Sequence, residues 1–137
     1  MDCDGFEIRS GYILAYSGQE FDLHNDLDVI GIAHEPSTAT LSVTLRRRDG
    51  AWVARTVPHE IVLRFEQVSR FLRRAGNPEL AADQPTIRFI GFLYPNDETM
   101  DGFLDELTDP SQNLIVQMED ESAFKVHAAR VAIEVHA

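Results

Sequence analysis

Three side chains that can bind a metal ion are spaced two residues apart, at His24, Asp26 and Asp28. Because alternate residues of an extended strand point to the same face, this spacing would place one imidazole and two carboxylates side by side. Such a group, completed by a further ligand, could hold a catalytic metal ion. The alternative interpretation is a solvated lead-in to the apolar strand that follows, and the sequence favours that alternative.

The rest of the chain has no pattern typical of a catalytic or cofactor site. His59 and Glu60 resemble the start of a zinc-protease helix, but Leu63 occupies the position of the second histidine. The glycine-rich dinucleotide and phosphate-binding motifs do not occur, nor does the serine-hydrolase motif. The sequence therefore favours a non-enzymatic protein without a cofactor.

The composition is that of a globular protein with a packed core. The 137 residues are 44% hydrophobic and 26% charged, which predicts one domain spanning residues 1–137. The only cysteine is Cys3, so the chain cannot form an internal disulfide. No apolar run approaches the roughly 18 residues of a membrane-spanning helix, and no signal-peptide pattern occurs. We therefore expect a cytoplasmic protein that does not associate with membranes.

The net charge of −11 is unevenly distributed along the chain. Residues 46–74 contain eight arginines but only three acidic residues, whereas the flanking segments are acidic. This basic segment could dock an anionic partner or complement the acidic flanks within the fold, and the second interpretation is favoured. Because most of the chain would repel phosphate, the sequence does not predict nucleic-acid binding.

The hydrophobic pattern predicts a sheet of about seven or eight antiparallel strands. The clearest candidates are residues 11–18, 27–35, 38–46, 61–65 and 86–95, followed by a hairpin of 113–119 with 123–135. A three-residue loop at 48–50 would place Val53 opposite Leu45 in another hairpin. Residues 86–95 are apolar on both faces, which is typical of a central strand.

The last predicted strand changes its apolar phase. Phe124, Val126 and Ala128 occupy even positions, whereas Val131 and Ile133 occupy odd positions. A strand that keeps its apolar side chains on one face can do this only at a bulge or a sharp bend. The sheet is therefore expected to be curved.

One or two short helices complete the predicted fold. Residues 66–75 could continue the preceding strand or form a short helix, and the helix is favoured because their apolar residues fit a helical stripe that ends at Gly76–Pro78. Arg70, Arg73 and Arg74 would then lie near its favourable C-terminus. Met100, Phe103, Leu104 and Leu107 have helical spacing within an acidic segment, 97–109. The expected class is therefore α+β, with one or two short helices packed against a curved antiparallel sheet.

Candidate interface residues lie in two of these elements. Arg47 and Trp52 flank the predicted hairpin turn and could stack on each other; both types are common anchors of protein interfaces. Asp101 and Asp105 would point outward from the acidic helix and could meet a basic partner. An unpaired sheet edge could also join two copies of the chain.

Part of the sequence resembles a known group of proteins. The run LHNDLDVIGIAHEPSTATLSVTLRRRDG, followed by IVLRFEQVSRF, is similar to small bacterial β-rich proteins, some of them grouped as immunity proteins of polymorphic toxin systems. The resemblance covers Leu23 to Phe71 and rests on strand pattern, including Leu63, Phe65 and Val68. It implies a non-catalytic protein that binds another protein. The alternative is a binding protein or an enzyme that holds a small molecule or metal in a cleft of the sheet.

Overall fold

In the computed structural model, which describes residues 1–83 and 86–137, the described chain is nearly all β-structure. It contains ten strands and a short 3-10 helix, Pro78–Asp83. The strands are β1 Asp2–Cys3, β2 Phe6–Arg9, β3 Ile13–Tyr16, β4 Gln19–Asp22, β5 Leu27–Glu35, β6 Thr40–Arg47, β7 Glu60–Arg74, β8 Ile87–Leu93, β9 Asn113–Met118 and β10 Ala123–His136. The predicted α+β class is therefore wrong. No helix in these two ranges has the length and apolar character needed to cross a membrane.

The strands form one large curled sheet and one small sheet. The large sheet has the order β5-β6-β7-β10-β9-β8, and β1 pairs in parallel with β10. The small sheet is the meander β2-β3-β4. The antiparallel pair β7–β10 runs through the large sheet from Ala123 opposite Arg74 to His136 opposite Glu60. They are the two longest strands described, with 15 residues in β7 and 14 in β10.

The bend predicted from the last strand is present. The pairing of β10 with β7 changes register between His127 and Ala128, and Gln67 on β7 has a positive φ of 54°. The buried side chains of β10 change phase after Ala128 and continue at Val131. The expected bulge and the curved antiparallel sheet are therefore confirmed.

The helix predicted at residues 66–75 does not exist, because β7 continues to Arg74. Phe65, Val68 and Phe71 face the core at intervals of three residues. In a helix this spacing marks one face, but in β7 the normal interval of two is interrupted by the register shift between Val68 and Arg70 and by the positive φ of Gln67. The same irregularity that was recognised in β10 was therefore mistaken for helical periodicity in β7.

The acidic helix predicted at residues 97–109 is also absent, and Gly102 has a φ of +97° that no α-helix contains. The apolar residues nevertheless pack as the segment crosses the sheet. Phe103 lies against Gly91, where an added Cβ would come within 2.7 Å of the Phe103 Cβ atom. The backbones of Leu104 and Phe92 exchange hydrogen bonds of 2.7 and 3.0 Å.

Two predictions about strand pairing are wrong. Residues 48–59 form a long connection instead of a tight turn, and Leu45 pairs with Ile61 rather than with Val53. β8 lies at the end of the large sheet, not at its centre. Its apolar composition is explained by the covering of its outer edge, where Ile90 N donates to Gly11 O at 2.7 Å.

The main core lies inside the curl, between the large sheet and the small sheet. Leu14 of β3, Phe65 of β7 and Phe124 of β10 are all fully or almost fully buried there. A second, smaller cluster around Ile115 lies on the other face of the sheet, under Met100 and Phe103. Apolar side chains therefore fill the inside of the curl.

Candidate functional site

The three metal-ligand candidates do not converge. His24 and Asp26 lie in the turn before β5, whereas Asp28 is part of the strand. The Nδ1 atom of His24 is 2.6 Å from the carbonyl oxygen of Ile87. Asp28 accepts a hydrogen bond from Nε of Arg48 at 2.8 Å. Within residues 1–83 and 86–137, no group of three or more histidine, cysteine or acidic residues is arranged to hold a metal ion.

These residues instead connect the two ends of the curled sheet. His24 precedes β5 and contacts the start of β8, since its Nδ1 atom can donate to the Ile87 carbonyl. Arg48, just after β6, joins Asp28 to the Thr86 hydroxyl, with a distance of 2.8 Å to each. We name these contacts of His24, Asp28, Arg48, Thr86 and Ile87 the clasp. The clasp holds the terminal strands β5 and β8 near each other without a backbone ladder.

The turn that carries His24 is built by hydrogen bonds from its own backbone. The Oδ1 atom of Asp22 accepts from the backbone N–H of His24 at 3.0 Å and of Asn25 at 2.8 Å. Partial burial, followed by the nearby charge of Asp22, raises the pKa of Asp26. The polar stretch is thus a structural turn that positions His24 for the clasp.

Removal of the clasp arginine should destabilise the fold. We expect Arg48→Ala to lower the free energy of unfolding by about 1–2 kcal/mol, because it removes charge-assisted hydrogen bonds from a partly buried Asp28 and from Thr86. Urea unfolding followed by far-UV circular dichroism measures the change. Arg55→Ala, an exposed arginine in the same long connection, is the matched control and should have almost no effect. Equal stabilities of the two variants would contradict a stabilising clasp.

Beyond the clasp, the curled sheet is open. A groove of about 210 Å³ lies between β5 and the far ends of β7, β9 and β10. We name it the seam groove. Its lining residues are Val29, Ile30, Gly31, Ile32, Arg73, Arg74, Met118, Ser122, Ala123 and Phe124. Val29, Met118 and Phe124 are buried members of the main core, so the groove has an apolar floor.

The strand beside the seam groove has an unpaired edge. β5 lies at the end of the strand order and pairs only with β6. No backbone hydrogen bond reaches residues 29–34 from its other side in the part of the chain that the structure describes. A bulge at Ile30 interrupts the ladder, and Ile30 is one of the exposed large hydrophobic side chains. The opposite end of the sheet differs, because Gly11 and Leu104 cover β8.

The arginines at the end of β7 have unequal partners. Arg74 forms an ion pair with Asp101 at 3.0 Å and donates to the carbonyl oxygen of Glu121. Arg70 donates to the carbonyl oxygen of Pro95 at 3.4 Å. The side chain of Arg73 forms no hydrogen bond or ion pair with any residue in 1–83 or 86–137. Because this segment is a strand, the predicted helix C-terminus does not explain its positive charges.

The predicted interface residues lie at separate places. Arg47 donates to the carbonyl oxygen of Val57 at 3.0 Å. The Trp52 ring lies over Gly50 and is 69% exposed, the largest exposed fraction among the bulky apolar residues described. Asp101 accepts hydrogen bonds from Arg74 and from Gln117. The structure therefore places Asp101 near the seam groove but leaves Trp52 on a separate loop.

Asp105 lines a second and larger cleft, of about 650 Å³, between β2 and the segment that ends at Leu107. The lining residues are Met1, Asp2, Cys3, Phe6, Glu7, Ile8, Arg9, Ser10, Phe92, Asp105, Glu106 and Leu107. Burial raises the pKa of the Cys3 thiol to about 11. Because a thiolate is the reactive form of cysteine, this protonated thiol is a poor nucleophile.

A buried lysine was missed by the sequence analysis. Lys125, on β10, is fully buried, and its Nζ atom donates to the carbonyl oxygen of Asp97 at 2.6 Å. Burial, followed by the positive charge of Arg70, lowers the pKa of Lys125. Its hydrogen bond attaches the irregular segment 97–109 to the sheet. Lys125 lies in a run of four buried residues, Ala123 to Val126, and the sequence alone carries no signal that this lysine is buried there.

Comparison with known proteins identifies no relative of this chain. No protein-family model matches the chain, and neither the curated proteins nor the solved structures contain a match. The features that could bind a partner or ligand are the seam groove, the unpaired edge of β5 and the larger cleft.

Proposed function

We propose that this chain is a non-enzymatic protein-binding module that accepts an extended segment of its partner along β5. The observation that supports the proposal is the unpaired edge of β5 beside an apolar groove. An extended segment can add to such an edge through backbone hydrogen bonds while its alternate side chains enter adjacent pockets. The resemblance to immunity proteins implies that this partner is a toxin, which the chain blocks by binding to it.

The volume of the seam groove supports a protein segment over a small molecule. Pockets for small molecules and cofactors are typically about 300–1,000 Å³. The seam groove measures about 210 Å³, which is enough for one large side chain. A single anchor residue buried in a pocket, surrounded by weaker contacts, is typical of protein interfaces.

A peptide-binding experiment tests the proposal. A phage library of random dodecapeptides is selected against the full chain, and bound peptides are mapped by hydrogen exchange. We expect enriched peptides that slow the exchange of backbone amides in residues 29–35, because these amides include the unpaired donors of the edge. A selection without enriched peptides, or peptides that protect only other segments, would reject this function.

Proline variants provide a matched control for edge binding. Neighbouring residues of a strand direct their N–H groups to opposite edges, and proline has no N–H. Of Ala33→Pro and His34→Pro, we therefore expect one to break the ladder with β6 and the other to remove an edge donor. The variant that keeps its melting temperature should lose peptide binding. His34→Ala separates this effect from the loss of the His34 ring, which contacts Phe71 at a centroid distance of 4.9 Å.

Small-molecule binding in the larger cleft is the second candidate function. Its volume of about 650 Å³ lies within the usual range for ligands. Acidic side chains at its border, among them Glu7 and Asp105, favour a cationic ligand. An NMR screen of amine-containing fragments tests this candidate: shifts of the Ile8 and Phe92 amides would support it, and their absence would remove it.

A further inference from the structure

We infer that the segment bound at the seam groove is acidic, with one large apolar residue and, two positions away, an aspartate or glutamate held by Arg73. This inference rests on the proposed function and specifies the chemistry of the partner. It assigns Arg73 a role in selecting the bound segment, which neither the sequence pattern nor the resemblance indicated.

The register of the sheet places Arg73 beside the apolar floor. Arg73 on β7 is directly opposite Phe124 on β10, and directly opposed residues project from the same face of a sheet. Phe124 is 1% exposed and forms part of the floor, whereas Arg73 is exposed and lines the groove. The guanidinium group is therefore next to the position where an apolar anchor would enter.

Of the two arginines that line the groove, Arg73 is the one without an acidic partner in residues 1–83 or 86–137. Arg74, its neighbour in the lining, is already paired with Asp101. Arg73 has no ion-pair partner in residues 1–83 or 86–137. A guanidinium group presents a planar set of donors that can hold a carboxylate with two parallel hydrogen bonds. A carboxylate is therefore the group that best complements this rim.

The spacing of the two partner residues follows from strand geometry. In an extended segment paired with β5, side chains at positions i and i+2 point to the same face. One of them would enter the apolar floor near Val29 and Phe124, and the next would reach the rim at Arg73. The expected motif is thus apolar-x-acidic, in either direction along the segment.

A second copy of this chain is a poorer occupant. The chain has a net charge of −11, so two copies repel each other over most of their surfaces. A short acidic segment of another protein would bring its negative charge to Arg73 without bringing a second highly acidic surface. The partner is therefore expected to contribute an extended acidic segment.

The peptides selected on the full chain provide the test. We expect the apolar-x-acidic motif to be enriched among peptides that protect residues 29–35. For one such peptide, replacement of its aspartate by asparagine should weaken binding about fivefold, as measured by fluorescence anisotropy. The Arg73→Gln variant should bind both peptides equally. Arg88→Gln, which changes an exposed arginine on β8 outside the groove lining, should keep the fivefold difference.

The outcomes separate this inference from the proposed function. Peptides that protect residues 29–35 without an acidic preference, or with a preference that survives Arg73→Gln, would overturn the inference and leave the binding function in place. Failure to select any peptide for this edge would overturn both. A dimer in sedimentation equilibrium, with residues 29–35 protected from exchange in the absence of peptide, would identify a second copy as the occupant and also overturn the inference.

Discussion

Replacement of Phe65 by alanine is expected to lower the free energy of unfolding by about 3–5 kcal/mol. Phe65 has no exposed surface, and it is paired with Leu41 on β6 and with Val131 on β10. Its side chain therefore contributes to the core where the three strands run together. Urea unfolding measures the loss, with the area exposed on unfolding checked from the slope of the transition.

Leu72→Ala is the matched control for Phe65→Ala. Leu72 lies on the same strand but is 40% exposed, so its truncation should cost about 1 kcal/mol or less. If the two variants lost the same free energy of unfolding, the second half of β7 would be packed as deeply as the first, which would contradict the exposure of Leu72.

Alkylation of Cys3 is expected to be about a hundredfold slower in the folded chain than in the denatured chain near neutral pH. The reason is that burial raises the pKa of the thiol from 9.0 to about 11, which reduces the fraction of reactive thiolate. Mass spectrometry of the iodoacetamide adduct over time measures both rates. Similar rates in the two states would show that Cys3 is not held in its buried position.

The same pKa shift predicts how stability depends on pH. Between pH 9.0 and about 11, the folded state keeps a proton on Cys3 that the unfolded state releases. The free energy of unfolding should therefore decrease as pH rises through this window, and the stabilising contribution should be fully present below it. Cys3→Ala removes this titration, so the stability of that variant should change less over the same range.

Local patterns in the sequence predicted the regular strands well. β5 was predicted at the observed residues, since an apolar run between a polar turn and a proline has few other structures available. The irregular pairing along β10 was predicted because Ala128 and Val131 fix the change of phase. The helical prediction at 66–75 failed because the irregular backbone of β7 produces the spacing of a helix, and spacing alone cannot distinguish the two.

The candidate site itself could not be predicted, because it depends on the curl of the sheet. The seam groove brings together Val29 from β5, Arg73 from β7 and Met118 from β9. These residues are far apart in the sequence, and each lies in an ordinary strand pattern. The residue types around His24 indicate a possible metal site. In the clasp, however, His24 contacts the backbone carbonyl of Ile87, which any residue could supply, so the sequence does not indicate this contact.

The long pair β7–β10 also determines when the fold can be completed during synthesis. β5, β6 and the first half of β7 follow one another in the chain and can form a meander early. β10 is the last strand, so β7 has no neighbour on that side until nearly all the described chain has left the ribosome. Contacts of such high sequence separation make folding slow. The nascent meander therefore exposes two strand edges while residues 75–122 are being synthesised, and exposed strand edges favour aggregation.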